Sequence, residues 1–220
     1  MKININNLNG ASSIKIYNYL LNESKETNKP FRFLTIDVED ERETNKIVSV
    51  FLDMFSASTT LTIDDIPIIF YDEEEGFEIK NILSSIVDDF AININVFNSG
   101  KIKSRDSFIK VFEAYKKYLK NKKNQYSSVS DLIIEIVKED IKKISEYKKI
   151  LLNGIYDDPQ LEKLIISMFD NNLNVTKTAS DMYMHRNTIN NKLNYIKQET
   201  SLNIQDFKDA LSMYWLVKAK

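Results

Sequence analysis

The stretch that decides how this chain is read is "MHRNTINNKLNYI", Met184–Ile196. It opens on the single histidine, His185, and runs straight into Arg-Asn-Thr. Ile189, Leu193 and Ile196 follow at spacings of four and three, which puts them on one helical face. The remaining positions are Asn187, Asn190, Asn191 and Asn194, flanked by Arg186, Thr188 and Lys192. Asparagine is a mediocre helix former, so a plain solvent-facing helix uses Glu, Lys and Ala instead. Its amide carries donors and an acceptor, which match N6 and N7 of adenine in a major groove. Threonine and first-turn N–H groups suit phosphate oxygens, and Arg186 suits guanine or phosphate. His185 by itself reads as a helix cap or turn-packing residue rather than a base contact.

Working outward, "NVTKTASDMYM" (174–184) is a short helix after an "NNLN" turn. Ala179 is small enough for a neighbouring helix to cross closely, and Val175, Met182 and Met184 supply apolar surface. Two short helices with a tight link, the second apolar on one side and polar on the other, make a helix-turn-helix pattern. Upstream, "DPQLEKLIISMFDNN" has Pro159 at a first-turn position with acids beside it, a good N-terminus. Downstream, "NIQDFKDALSMYWLVKAK" carries Asn203 and Asp206 at capping-box spacing and is expected to bury Phe207, Ala210, Leu211, Tyr214 and Val217. The segment 129–154 has an apolar stripe through Leu132, Ile133, Ile136, Val137, Ile141, Ile144, Ile150 and Leu151. It reads as one long helix or two broken ones, and as a packed connector, a dimer seam or both.

The N-terminal half has another texture. "SSIKIYNYLLNES" (12–24) spaces Ile14, Tyr17 and Leu21 for one helical face, and "SKETNKP" is a linker. "FRFLTIDVED" alternates as a strand, and "ETNKIVSVFLDMF" is helical through Ile47, Val50, Phe51 and Met54. "TTLTIDD" and "PIIFYD" are two strands joined at an Asp-Asp-Ile-Pro turn. "FEIKNILSSIVDDF" turns Ile79, Ile82, Leu83, Ile86 and Val87 inward, "AININVFN" alternates, and "SRDSFIKVFEAYKKYLK" is a further helix. The order β-α-β-β-α-β-α predicts one sheet with helices packed on it, an α+β chain ending in an all-α domain.

Composition narrows the functional classes. The 220 residues are 43% apolar, with four glycines, three prolines and no cysteine. That excludes a disulfide scaffold and Cys-ligated metal, and one histidine makes no metal site alone. The first residues lack a signal-peptide core, and no apolar run is long enough to span a bilayer, so the expectation is a soluble cytoplasmic protein without membrane attachment. The net charge of −2 announces no nucleic-acid partner by itself. Its distribution is uneven, acidic over Asp64–Asp89 and basic over Lys101–Lys123. Both read as solvated faces of one α/β module, the basic helix alternatively as a supplementary phosphate-contacting surface.

The segment 172–218 resembles the C-terminal helix-turn-helix of the PucR/CdaR family of bacterial transcriptional regulators. Asn174, Thr176, Thr178, Ala179, His185, Arg186, Asn187, Thr188, Ile189, Leu193 and Ile196 stand where that pattern has them, and "TSLNIQD" (200–206) matches its final bend, with Ser201 where glycine is usual. With the rest of the domain at 157–220 the resemblance covers about 60 residues; the same recognition-helix logic occurs in the nucleoid protein Fis. Family members usually carry Arg at the positions of Asn190 and Lys192 and an aromatic at that of Asn191. Fewer guanidinium groups imply weaker non-specific binding, a shallower salt slope and A·T-rich half-sites.

The middle of the chain resembles, less specifically, the degenerate GGDEF-like domain that precedes this helix-turn-helix in the family. No glycine pair stands at the hairpin, which is "TIDDIPII" here. Asp37, Asp64 and Asp65 read as strand-end and turn aspartates rather than Mg²⁺ ligands. The resemblance thus implies an N-terminal helical segment (1–28), a GGDEF-like α/β domain (29–124), a helical connector (125–156) and a helix-turn-helix domain (157–220). It implies a non-enzymatic regulator with no cofactor, no catalytic residue and no metal, binding double-stranded DNA as a homodimer. The expected contacts are Arg186, Asn187, Thr188, Asn190, Asn191 and Lys192, with Thr176 and Lys177 on the backbone. The chain is short for the family, so an upstream sensory domain is expected to be absent or reduced to 1–28, and no small-molecule effector is assigned. Two other classes stand beside this reading: a nucleotide- or metabolite-responsive enzyme or sensor on the GGDEF-like half, and a protein-interaction module on a repurposed helix-turn-helix.

Overall fold

The computed structural model describes residues 1–4, 11–21, 29–38, 41–55, 58–72, 79–90, 93–122 and 125–219. The linker at 24–28, the acidic run at 73–75 and the start of "AININVFN" lie outside the described residues. The chain forms two compact units, Met1–Ser128 and Val129–Lys220.

The first unit is built on a six-stranded sheet: β1 Ile3–Asn4, β2 Arg32–Val38, β3 Ser58–Ile63, β4 Ile66–Tyr71, β5 Ile94–Asn98 and β6 Tyr126–Ser127. Its helices are α1 Ala11–Leu20, α2 Glu41–Met54, α3 Ile79–Phe90 and α4 Arg105–Tyr118. The strand order is β1-β3-β4-β2-β5-β6, antiparallel except for the β5–β6 pair. The four inner strands with α2 and α3 form the one sheet with helices packed on it that the element order predicts, in a split βαβ arrangement. Two strands were not anticipated: β1 adds to β3 at one edge and β6 to β5 at the other. Two-residue strands carry no alternation to detect; their partners 60 residues or 30 residues away define them.

β2 is covered on both sides, so it is buried along nearly its whole length, Arg32 and Thr35 included. Leu34, Ile36 and Val38 meet Ile47, Phe51, Leu83 and Ile86 of α2 and α3. On the other side Phe33 meets Phe108 of α4, 5.1 Å between ring centroids, and Phe108 stacks on Phe112 at 5.6 Å. α1 differs from expectation: Ser13 and Leu20 are buried, while Ile14 and Leu21 are exposed.

The β3–β4 connection is a two-residue turn with Asp64 at φ 50° and Asp65 at φ 62°, the doubly left-handed geometry of a tight hairpin. The Asp64 carboxylate accepts from Lys116 Nζ and from the Lys2 backbone N–H, each at 2.6 Å. Burial works against its charge, but these bonds outweigh it and hold the pKa below the ordinary 3.8. A depressed carboxylate pKa stabilises the fold above its unfolded value and loses that contribution as pH falls through the folded value. Asp64→Asn should therefore flatten the acid limb of the stability profile below about pH 4, read from thermal midpoints between pH 2 and 6; an unchanged limb would show that the pair contributes nothing.

The second unit is all helical: α5 Val129–Glu139, α6 Ser145–Leu152, α7 Pro159–Asp170, α8 Val175–Asp181, α9 Arg186–Thr200 and α10 Phe207–Lys218, with 3₁₀ turns at Ile141–Ile144 and Asn153–Ile155. The segment read as a connector is thus divided. Tyr126–Ser127 joins the sheet, and from Val129 onward the chain is part of the helical unit. Leu132, Ile133 and Ile136 are fully buried there, and α5 and α6 pack on α10. The stripe at 129–154 is two helices broken by a 3₁₀ turn. Most of it is covered within the unit, and Ile141 is 55% exposed.

α10 departs from the expected face. Ala210, Met213, Leu216 and Val217 are buried, whereas Phe207 is 78% exposed and Tyr214 is exposed. Its cap is shifted as well. Asp206 accepts from the Lys208 and Asp209 N–H groups, and Asp209 reaches back to the Asn203 N–H at 2.9 Å. The cap is Asp206, three residues later than the Asn203/Asp206 spacing suggested, and Asp209 reaches past it to the Asn203 N–H instead of closing a capping box.

Candidate nucleic-acid interface

Helices α7 to α10 are each started by a side chain of their own. Asp158 caps α7 by accepting from Gln160 and Leu161, ahead of Pro159. Asn174 caps α8 by accepting from Lys177 at 3.0 Å. His185 caps α9, its Nδ1 accepting the Asn187 N–H at 3.2 Å, which places the ring proton on Nε2. The histidine is a cap, and it fixes where the polar helix begins.

The link between α8 and α9 is equally determined. Met184 N–H bonds Ala179 O, and Tyr183 N–H bonds Ser180 O, the paired bonds that close a helix through a left-handed residue. That residue is Tyr183, at φ 53°. Its side chain is 98% exposed.

α9 docks through Ile189, Leu193 and Ile196, all buried. Its far end is held by contacts the sequence reading missed. Glu199 is buried and accepts the Gly154 N–H through Oε2 at 3.0 Å, while Asn153 Nδ2 donates to Glu199 O at 2.9 Å. A Cβ on Gly154 would run into Glu199 Oε2 and the Tyr195 hydroxyl. The signal was there: a glycine inside a helical stretch of a chain with four glycines marks a close approach. α9 then closes on Ser201 in the left-handed region, φ 60° and ψ 18°, where its N–H bonds Lys197 O. Ser201→Gly removes a Cβ from that conformation and should raise stability by about 0.5–1 kcal/mol, measured by urea denaturation; a loss would mean the serine side chain contributes more than its strain.

With that face fixed, the other faces outward. Arg186, Asn187, Thr188, Asn191 and Asn194 are exposed, and Asn190 and Lys192 lie half-buried on the flanks of the ridge. Thr176 and Lys177 are exposed on α8, whose Thr178 and Ala179 are buried. Between Val175 and Gln198 the cations Lys177, Arg186, Lys192 and Lys197 face one acid, Asp181, whose carboxylate accepts from Asn171 Nδ2. The surface is locally basic although the chain is not.

A family model of the PucR C-terminal helix-turn-helix domain matches residues 161–219. The matched stretch runs from within α7 to the end of α10. Of the curated proteins, the chain is 25% identical over 152 residues to "Uncharacterized protein YxkF" of Bacillus subtilis (strain 168), covering 64% of this chain and 50% of that protein. The chain thus spans about half the length of this relative. Among solved structures, it is similar to the regulator of polyketide synthase expression from Bifidobacterium adolescentis, at 11% identity and a TM-score of 0.37, over 96% of this chain and 87% of that one. The PucR-type match begins inside α7, so α5 and α6 pack against the domain from outside the matched region. Among the described residues, no helix is long and apolar enough to cross a membrane, and no group of acidic or histidine side chains gathers to hold a metal ion.

Proposed function

We propose that this protein is a cytoplasmic, non-enzymatic transcriptional regulator that binds duplex DNA as a homodimer, with α9 in the major groove. The observation that carries the reading is the open ridge Asn187–Asn191–Asn194, aligned on the face opposite the buried Ile189, Leu193 and Ile196 of a PucR-type helix-turn-helix. Asn187, Asn190 and Asn191 read base edges, with Arg186 and Thr188 at the helix start. Thr176, Lys177 and Lys192 hold phosphates. Tyr183 joins them: a fully exposed aromatic ahead of the recognition helix suits a sugar-phosphate contact. Four local cations support a shallow salt dependence and A·T-rich half-sites about 34 Å apart in a two-fold site.

The test is selection from random duplexes followed by fluorescence anisotropy. Asn191→Ala should cost about 1–3 kcal/mol and relax preference at one position, and Asn190→Ala should act likewise. Lys192→Ala should weaken every sequence alike. G·C-rich selected sites would contradict the base assignment, and wild-type binding by all three variants would remove α9 from the interface.

For the N-terminal unit the proposal is a GGDEF-like domain without cyclase activity, serving in sensing or association. The hairpin that would approach a nucleotide carries Asp64 and Asp65 in place of glycines, and Asp64 is engaged by Lys116 and Lys2. Formation of a cyclic dinucleotide from GTP and Mg²⁺ would reverse this.

A further inference from the structure

α10 is apolar around most of its circumference, and the unit covers one of its stripes. Phe207, Leu211 and Tyr214 form the other, at spacings of four and three. Beside it, Phe169, Asn172 and Leu173 at the end of α7 complete an apolar groove of about 430 Å³. Phe169 meets Tyr214 edge-on at 5.0 Å, so the groove floor is built of rings held in place. On the other flank Ile141 opens onto a second hollow with Tyr214, Trp215 and Lys218. Scattered apolar side chains on a surface are ordinary; a contiguous apolar face with a ring projecting from it marks an interaction site.

We infer that this face is where a second copy of the chain docks, α10 against α10, antiparallel about a two-fold axis at Leu211. The inference deepens the proposed function by naming the surface that makes the dimer. Three features of α10 point to its own copy as occupant. The stripe Phe207–Leu211–Tyr214–Lys218 follows the 4-3-4 spacing of a helix–helix seam. Reversing the helix direction sets Phe207 over the partner copy's Tyr214 position and Leu211 near its own image, so the projecting ring enters the partner's groove. The same reversal brings the exposed cation at one end of the stripe, Lys218, towards the exposed acid at the other, Asp206, twice over. A face that is apolar in the middle and oppositely charged at its ends is complementary to itself under a two-fold, as a closed isologous dimer requires. Antiparallel helix dipoles add to the match.

Sedimentation equilibrium of the full chain should find a dimer for wild type and a monomer for Phe207→Glu, whose melting temperature should stay close to wild type because the ring is exposed. Leu211→Cys introduces the sole cysteine and should give a disulfide-linked dimer under mild oxidation. On DNA, Phe207→Glu should bind a single half-site like wild type and lose the gain of about 100-fold from two tethered half-sites. A dimer that survives Phe207→Glu, a Leu211→Cys chain that stays monomeric on oxidation, or a wild-type chain that is monomeric at every concentration with and without two-half-site DNA would each overturn the interface. Wild type that binds no half-site would instead overturn the DNA reading, while the sedimentation and cross-linking results judge the interface by themselves.

Discussion

Ile189→Ala is expected to destabilise the C-terminal unit by about 2–5 kcal/mol and to abolish DNA binding with it. Ile189 is 0% exposed and lies in the first turn of α9, directly behind Arg186, Asn187 and Asn190. Truncation removes transfer free energy and leaves a cavity that closes only if α9 shifts, since helix α8 and the 3₁₀ turn at Asn153–Ile155 also bear on it. A shift at that point moves the polar ridge relative to Lys177 and Tyr183. The contrast with Asn187→Ala is informative. That variant should lose about 1–3 kcal/mol of affinity with its urea midpoint unchanged, because Asn187 is exposed and supplies only its backbone N–H to the cap. Measured together by urea denaturation and anisotropy, the pair separates the face that holds the helix from the face that reads. If Ile189→Ala folded and bound like wild type, α9 would not dock through this stripe.

The second large effect belongs to the N-terminal unit. Phe108→Ala should cost about 3–5 kcal/mol. Phe108 is 0% exposed, and its ring lies 5.1 Å from Phe33, 5.6 Å from Phe70 and Phe112, and 6.2 Å from Phe31. It is the residue through which α4 packs on three strand rings at once, so its loss empties the centre of that layer rather than an edge. Phe108→Leu retains most of the volume and should cost roughly half as much or less, within about 1.5 kcal/mol. Urea denaturation followed by far-UV circular dichroism measures both. Equal losses from the two variants would mean that ring–ring geometry, not volume, dominates the site.

Much of this architecture could be read from local chemistry. Asp158 before Pro159, Asn174 before "VTKT" and His185 before "RNT" each cap the helix they precede, because capping involves residues two or three positions apart. The alternation of "FRFLTIDV" and the hairpin at Asp64–Asp65 are local in the same sense, and the inner strands and helices follow in the expected order. The polar ridge of α9 was legible because Ile189, Leu193 and Ile196 leave its side chains nowhere to go but outward.

What local chemistry does not specify is which of two equivalent faces is inward. Along α10 the sequence offers Phe207, Leu211 and Tyr214 as readily as Met213, Leu216 and Val217, and periodicity cannot choose between stripes of similar hydrophobicity. The choice falls to α5 and α6, which arrive from 60 or more residues away and cover the second stripe, leaving the aromatic one open. The Gly154–Glu199 seat and the edge strands Ile3–Asn4 and Tyr126–Ser127 have the same origin. The sequence alone determined the starts of α7, α8 and α9, the inner sheet and the polar face of α9, because those depend on neighbours along the chain. The tertiary structure decided what α10 presents to solvent and how α9 is anchored, because burial is a property of what packs against a side chain.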